Sequence, residues 1–226
     1  MRTLTKEIQD SLTPAMALDL LYKGNLRFIN NLKLHRNLLE QVNETRDGQH
    51  PFAVILGCID SRISAELVFD QGLGDIFSVR VAGNVVNEDV VGSLEFACKV
   101  AGAKIVLVLG HTRCGAVKGA CDGVELGNLT ALLRKIKPAV INTDVTAFDP
   151  QDGYAFVNAV AEKNVHHVMA EIRQASTILD EMVGNGEIGI VGGMYDVETG
   201  RVEFIQQEDF PLPDTSQLAS LTAALV

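Results

Sequence analysis

Two continuous apolar runs, each ended by a glycine, are the clearest pattern in the hydrophobic and polar positions of this chain. They are residues 52–57 and residues 105–110. Apolar runs of this length predict strands that are buried on both faces, as in the parallel sheets of α/β proteins. Ligands of such sheets bind beyond the carboxyl ends of the strands, so the residues that follow each run are the first candidates for chemistry.

The rest of the chain alternates between helical and strand periodicity. Pro14 suits the first turn of a helix, although Gly24-Asn25 interrupts the pattern that follows it. The alternation favours an α/β fold, with a central, mostly parallel β-sheet flanked by helices. The predicted helices are residues 14–31, 89–101, 127–140 and 154–183, and the further strands are 76–82, 188–194 and 202–205.

Length and composition predict one compact unit. With 226 residues and 47% hydrophobic content, the chain can bury a sizeable core without disulfides. We therefore predict a single domain over residues 1–226 and a loose tail at 211–226.

Charge and patterning exclude several classes of function. A net charge of −10 repels phosphate backbones, so we expect no nucleic-acid partner. The N-terminal residues are too polar for a signal peptide, and no apolar stretch is long enough to span a membrane. The sequence thus predicts a cytoplasmic protein with a small-molecule substrate. In that reducing compartment, four cysteines indicate a metal site or a reactive thiol rather than disulfides.

Candidate metal ligands follow both buried runs. Cys58 comes directly after the first run, and His111 and Cys114 come directly after the second. If the two strands are neighbours, two thiolates and an imidazole converge, and this ligand set suits zinc. Three protein ligands leave one position open for water, or for Asp60 if it turns inward, and an open position is typical of a catalytic site.

The other cysteines and histidines fit simpler interpretations. Cys98 and Cys121 lack ligand-spaced neighbours and are predicted to pack inside the protein. The glycine-rich run 110–119 fails as a phosphate loop because Ala116 and Val117 stand where Lys and Ser or Thr are required. Asp60 and Arg62, by contrast, are spaced for a bidentate ion pair beside the proposed metal.

These residues together resemble the β-class carbonic anhydrases. The family signature is Cys-x-Asp-x-Arg followed by His-x-x-Cys, present here as residues 58–62 and 111–114, and the similarity runs from about Lys23 through Ile205. The resemblance implies one Zn²⁺ per chain and reversible hydration of carbon dioxide to bicarbonate and a proton through a zinc-bound hydroxide. It also implies a homodimer or a larger homo-oligomer such as a tetramer, with an N-terminal helical arm (1–45) around the partner subunit.

The resemblance also assigns residue roles. Cys58, His111 and Cys114 become zinc ligands, Asp60 and Arg62 form the catalytic dyad, and Asp60 is the fourth ligand in a closed state. Substrate-binding roles fall on a glutamine, two phenylalanines that form an apolar wall, and a backbone N–H group that binds a bicarbonate oxygen; these residues are Gln49, Phe77, Phe96 and Gly115.

One departure concerns an allosteric bicarbonate pocket found in part of the family. Members with that pocket carry a tryptophan at the position of Ile55, so we do not expect the pocket here. Arg80 and Tyr195 nevertheless match two of its other positions, and Gly57 resembles the same branch.

Two alternative functions stay open at this point. Relatives with the same ligand set hydrolyse carbonyl sulfide or carbon disulfide, which are linear molecules of similar polarity to carbon dioxide. A different class of function is a non-catalytic zinc protein or redox sensor, in which Cys58 and Cys114 act as thiols. The Asp60–Arg62 dyad argues against the sensor, because a structural zinc site has no use for an oriented carboxylate.

Overall fold

The computed structural model describes residues 3–149 and 152–205 and is built around a five-stranded sheet. Its strands are β1 (Ala53–Gly57), β2 (Ile76–Arg80), β3 (Ile105–His111), β4 (Gly189–Tyr195) and β5 (Val202–Ile205). The spatial order is β2-β1-β3-β4-β5. Neighbouring strands are parallel except for β5, which runs antiparallel to β4. The mostly parallel α/β architecture predicted from the sequence is confirmed.

The two central strands are the two apolar runs. Every residue of β1 and of β3 is buried, as expected for strands that are covered by helices on both faces. Because side chains alternate along a strand, Ala53 and Ile55 enter one hydrophobic cluster and Val54 and Leu56 enter the other. The sheet therefore separates two cores, which we call core A (the face of Ala53 and Ile55) and core B (the face of Val54 and Leu56).

The helices cover both faces of the sheet. The predicted helices at 127–140 and 154–183 are each divided in two, the second at Ser176, whose hydroxyl accepts from Leu179 N and starts a new helix. The α-helices of the described residues are α1 (Lys6–Ser11), α2 (Pro14–Ile29), α3 (Leu38–Thr45), α4 (Ala65–Val68), α5 (Glu88–Glu95), α6 (Gly115–Cys121), α7 (Gly127–Arg134), α8 (Lys137–Ile141), α9 (Ala155–Ala175) and α10 (Thr177–Gly184). Four of them, α1, α3, α4 and α6, are short and were not predicted as separate elements.

The Gly24-Asn25 pair, which interrupts the helical pattern of the sequence, does not interrupt α2 itself. A β-carbon on Gly24 would lie 1.8 Å from the carbonyl oxygen of Phe69, so glycine permits the close approach of this helix to the chain after α4. The buried Asn25 amide donates to Gly200 O at 2.9 Å and accepts from Val202 N at 2.9 Å. Both residues therefore fix α2 against its neighbours rather than ending it.

We expect Gly24→Ala to destabilise the protein by about 3 kcal/mol or more, because the new methyl group would overlap a backbone atom that cannot rotate away. Gly184→Ala is the matched control, since Gly184 is also helical and a β-carbon there meets nothing within 4 Å. Urea unfolding measures both changes. Equal stability of the two variants would contradict this account of the helix contact.

The N-terminal segment is partly integrated into the domain. Ala17, Leu18 and Leu21 of α2 are completely buried in core A. On α3, by contrast, Leu38 and Leu39 remain exposed. Wrapping of this segment around a partner stays a prediction, and the predicted loose tail at 211–226 lies outside the described residues. Within the described ranges, no helix has the length and apolar character needed to cross a membrane.

Candidate metal centre

The two buried strands that precede the candidate ligands are direct neighbours. Gly57 of β1 pairs with Leu109 of β3, so both strands end at the same edge of the sheet. The ligand atoms of Cys58, His111 and Cys114 lie within 4.8 Å of one another, and all three residues are buried. The convergence that the sequence predicted on the condition of adjacent strands is therefore present.

The imidazole of His111 is oriented for a metal. Its Nδ1 lies 2.9 Å from the carbonyl oxygen of Thr112, and since a carbonyl oxygen can only accept, Nδ1 carries the proton. In the neutral ring, Nε2 then presents a lone pair. Nε2 is buried and has no hydrogen-bond partner among the described residues. A buried, unpartnered lone pair beside two sulfur atoms fits a soft divalent cation such as Zn²⁺.

The two cysteines differ in their affinity for a proton. Hydrogen bonding from Cys114, aided by the Gly83 N–H, lowers the pKa of Cys58 despite burial. The same contact with Cys58, together with burial, raises the pKa of Cys114. A cation bound between Cys58 and Cys114 would offset the repulsion between two thiolates.

The turn between His111 and Cys114 is fixed from outside. Arg113 has a positive φ of 55°, which non-glycine residues rarely adopt, and its N–H donates to the side-chain oxygen of Asn158 on α9 at 2.8 Å. The Thr112 hydroxyl accepts from Val197 N at 3.0 Å. These contacts hold both ligands on one side of the turn.

A carboxylate and two guanidinium groups follow Cys58. Arg62 binds Asp60 in bidentate fashion, with Nε–Oδ1 and Nη2–Oδ2 distances of 2.9 and 2.7 Å. The Arg62 side chain lowers the pKa of Asp60 to about 2, so this carboxyl group is ionised at neutral pH. Arg80 donates to the carbonyl oxygens of Cys58 and Asp60 at 3.0 and 2.7 Å and so fixes the backbone of this segment.

In this conformation Asp60 is turned toward Arg62, and among the described residues the group of atoms that a metal could join contains the two sulfurs and the imidazole nitrogen without Asp60. The arrangement with Asp60 as a fourth ligand stays a prediction. Of the substrate-binding candidates, Gly115 lies at the site: it follows Cys114 directly, is exposed, and begins α6. The first N–H groups of a helix have no partner within it, and the binding of a bicarbonate oxygen by Gly115 N–H stays a prediction.

The other three candidates lie elsewhere in the chain. Phe77 and Phe96 contact each other edge to face with a centroid distance of 6.2 Å, and Phe77 packs against core B, whereas Cys58 belongs to core A. Phe96 is 53% exposed and starts a π-helical turn. Gln49 is exposed just before β1, at the end of that strand opposite to Cys58. Within the described part of one chain, these residues are not brought to the ligands.

Gly83 was not among the predicted site residues, although its N–H donates to Cys58 Sγ at 3.3 Å. Its signal was available: the glycine follows the strand predicted at 76–82 and therefore lies at the same edge of the sheet as the ligands. Cys98 and Cys121, predicted to pack, lie outside the ligand group. Burial raises the pKa of Cys98 to about 12, as expected for an inert thiol.

Comparison with known proteins agrees with this geometry. The family model described as carbonic anhydrase matches residues 53–202, well over half of the chain. Carbonic anhydrase 2 of Mycobacterium tuberculosis is 35% identical over 194 residues, which cover 83% of this chain and 91% of that relative. The chain belongs to the β-carbonic anhydrase family of enzymes.

Solved structures share the fold. The β-carbonic anhydrase CafA of Aspergillus fumigatus superposes with a TM-score of 0.66 at 28% identity, covering 82% of this chain and 88% of that chain. A tetrameric β-carbonic anhydrase of Sordaria macrospora also gives a TM-score of 0.66, at 24% identity, covering 72% of this chain and 84% of that chain.

Proposed function

We propose that this protein is a zinc-dependent enzyme that reversibly hydrates carbon dioxide to bicarbonate and a proton. The observation that carries the proposal is the convergence of two sulfur atoms and one imidazole nitrogen within 4.8 Å, next to an ionised carboxylate that an arginine holds in place. Membership of the β-carbonic anhydrase family supports the same activity.

Cys58, His111 and Cys114 would hold the zinc ion. When bound, Zn²⁺ supplies Lewis acidity, which lowers the pKa of water and so provides a nucleophile near neutral pH. The ligands are immobilised before any metal arrives, since His111 is fixed through Thr112 and Cys58 through Gly83. Hydrogen bonds to the ligand residues of this kind fix the direction in which each ligand atom faces the metal.

Asp60 would orient the attacking oxygen. Its carboxylate accepts a hydrogen bond from that oxygen and so directs the lone pair toward the carbon atom of carbon dioxide. Arg62 keeps the carboxylate in position and ionised. The N–H of Gly115 would donate to the substrate oxygen that gains negative charge.

The remaining substrate contacts require a second copy of the chain. Phe77 and Phe96 lie on the face of core B, away from Cys58, and Phe96 is exposed. A half-buried phenylalanine beside an exposed one is typical of an interface, where the two would also form an apolar wall for carbon dioxide in the partner's site. We assign Gln49 to the same role across the interface, as a hydrogen-bond donor to substrate. The active form would then be a homodimer or a larger homo-oligomer such as a tetramer.

We expect Phe96→Asp to weaken subunit association by about 2 kcal/mol or more and to lower activity in parallel, because a charge would replace a central aromatic contact. Leu126→Asp is the control, since Leu126 is 67% exposed on another surface. Sedimentation analysis and activity measurements test the pair. A variant at Phe96 with unchanged assembly and activity would exclude this interface.

Stopped-flow measurement of carbon dioxide hydration by the zinc-loaded protein tests the function. We expect the rate to rise toward alkaline pH, because two thiolates cancel the charge of the ion and make the activated water a weaker acid than the pKa of about 7 known for a carbonic anhydrase of another ligand class. Asp60 does not cause this rise, since its pKa of about 2 keeps it ionised throughout.

A rate that is flat from acid to neutral pH would contradict the predicted acid strength. No hydration at pH 8.5 or above, with zinc bound, would reject the enzyme and favour a thiol sensor. Competition between carbon dioxide and carbonyl sulfide in one assay separates the two enzymatic functions, and we expect carbon dioxide to be preferred.

A further inference from the structure

A short chain of hydrogen bonds links α9 to a metal ligand. Asn164 on α9 is completely buried, and its Nδ2 donates to the carbonyl oxygen of Gly83 at 2.9 Å. The N–H of the same glycine donates to Cys58 Sγ at 3.3 Å. The side chain of Asn164 therefore holds Gly83, the residue whose N–H contacts the sulfur atom of Cys58.

The backbone at Gly83 has an unusual conformation that needs support. Its φ is +68°, and a β-carbon there would lie 2.6 Å from Cδ1 of Ile136, so the residue is a glycine for both conformational and steric reasons. The following residue closes a turn through Asn84 N and Val81 O at 2.9 Å. The contact with Asn164 holds the carbonyl group of this turn while the N–H of Gly83 is directed at the sulfur.

The orientation of the Asn164 amide follows from its partner. Since Gly83 O can only accept, the group that faces it is NH₂. The other amide atom, Oδ1, is buried without a hydrogen-bond partner among the described residues. A leucine would fill a similar volume without burying an unpartnered oxygen, so packing alone does not account for an asparagine here.

The helix that carries Asn164 is itself fixed to the strand that carries His111. Val165, the next residue of α9, is completely buried. A β-carbon on Gly110 would lie only 2.6 Å from Cγ2 of Val165, so the glycine lets the helix come close to β3. Through this close approach, α9 keeps a constant position relative to β3. Asn164 thereby connects the position of Cys58, which follows β1, to the position of β3, which carries His111.

We infer that Asn164 is a positioning residue of the metal centre, which sets the Gly83 N–H to Cys58 Sγ hydrogen bond and so adjusts how strongly that thiolate binds the metal. The inference rests on the proposed function, because it presupposes a metal held by Cys58, His111 and Cys114. A hydrogen bond to a thiolate stabilises its negative charge and fixes its direction toward the metal, and loss of such outer contacts typically lowers metal affinity by about 10–100-fold.

The test uses the full-length protein and two variants. Asn164→Asp keeps the shape of the side chain but presents a carboxylate that repels Gly83 O, and Asn164→Leu removes the donor without adding charge. We expect zinc affinity, measured by competition with a chelator, to fall about 10–100-fold in both variants. We also expect the ¹¹³Cd NMR shift of the cadmium-loaded protein to move, since that shift reports electron donation by sulfur. If the Asp variant does not fold, the Leu variant carries the test.

Val168→Ala is the matched control. Val168 lies one turn further along α9, is 1% exposed and packs in core B. It should lower stability while leaving zinc affinity and the ¹¹³Cd shift unchanged. Folded Asn164 variants with the affinity and shift of the unmodified protein would overturn the inference. Failure of the unmodified protein itself to bind one zinc per chain or to hydrate carbon dioxide would instead reject the proposed function.

Discussion

Cys114→Ser is expected to abolish stoichiometric zinc binding and to reduce carbon dioxide hydration on the order of 10⁴-fold or more, the scale that follows removal of an essential catalytic group. Cys114 is 1% exposed and lies beside Cys58 and His111. A serine hydroxyl is a poor substitute because it is not ionised near neutral pH and its oxygen is a harder ligand that reaches less far than sulfur. Metal analysis of the purified variant and stopped-flow assays measure both effects.

Cys121→Ser provides the comparison, because Cys121 is half-buried on α6 and lies outside the ligand group. It should keep one zinc per chain and full activity. If Cys114→Ser also kept its zinc and activity, Cys114 would not be a ligand and the assigned centre would be wrong.

Asp60→Asn is expected to lower activity by about 10²–10⁴-fold while zinc stays bound, which is the usual range for loss of a positioned proton acceptor. The amide has the same shape as the carboxylate but no charge, and its NH₂ group would face the guanidinium of Arg62, where two donors repel each other. Because the pKa of Asp60 is about 2, the charge is present at every pH at which the enzyme would work.

Asp144→Asn is the matched control, since Asp144 is an exposed carboxylate whose pKa is lowered by Thr146 and which contacts no ligand residue. It should retain full activity. Full activity of Asp60→Asn with normal zinc content would reject the role given to Asp60, whereas loss of zinc would make Asp60 part of the metal binding itself.

The ligand positions were predictable because they depend on strands with a strong local signal. Two apolar runs predicted β1 and β3, and adjacency of two parallel strands brings their carboxyl ends together. Cys58, His111 and Cys114 then follow from chain position alone. The bidentate Asp60–Arg62 pair was equally accessible, since two residues of separation place both groups on one turn.

Other features were not predictable because they depend on contacts between distant parts of the chain. The link from Asn164 to Gly83 joins residues 81 positions apart, and nothing in the local pattern of α9 distinguishes this asparagine from a polar surface residue. Short helices such as α1 and α4 have too few turns to show a period. The packing of Phe77 against core B, away from Cys58, depends on how β2 pairs with β1, which a resemblance in motif order does not reveal.

The position of the ligands at the ends of two separate strands has a thermodynamic consequence. Cys58 is far along the chain from His111 and Cys114 and does not stay close to them once the sheet comes apart, so the unfolded polypeptide would bind zinc far more weakly than the native protein. Binding to the native form alone shifts the folding equilibrium by mass action. Occupancy of the centre would then act as a cross-link between β1 and β3, and the lifetime of the bound ion would be governed by how often that edge of the sheet opens.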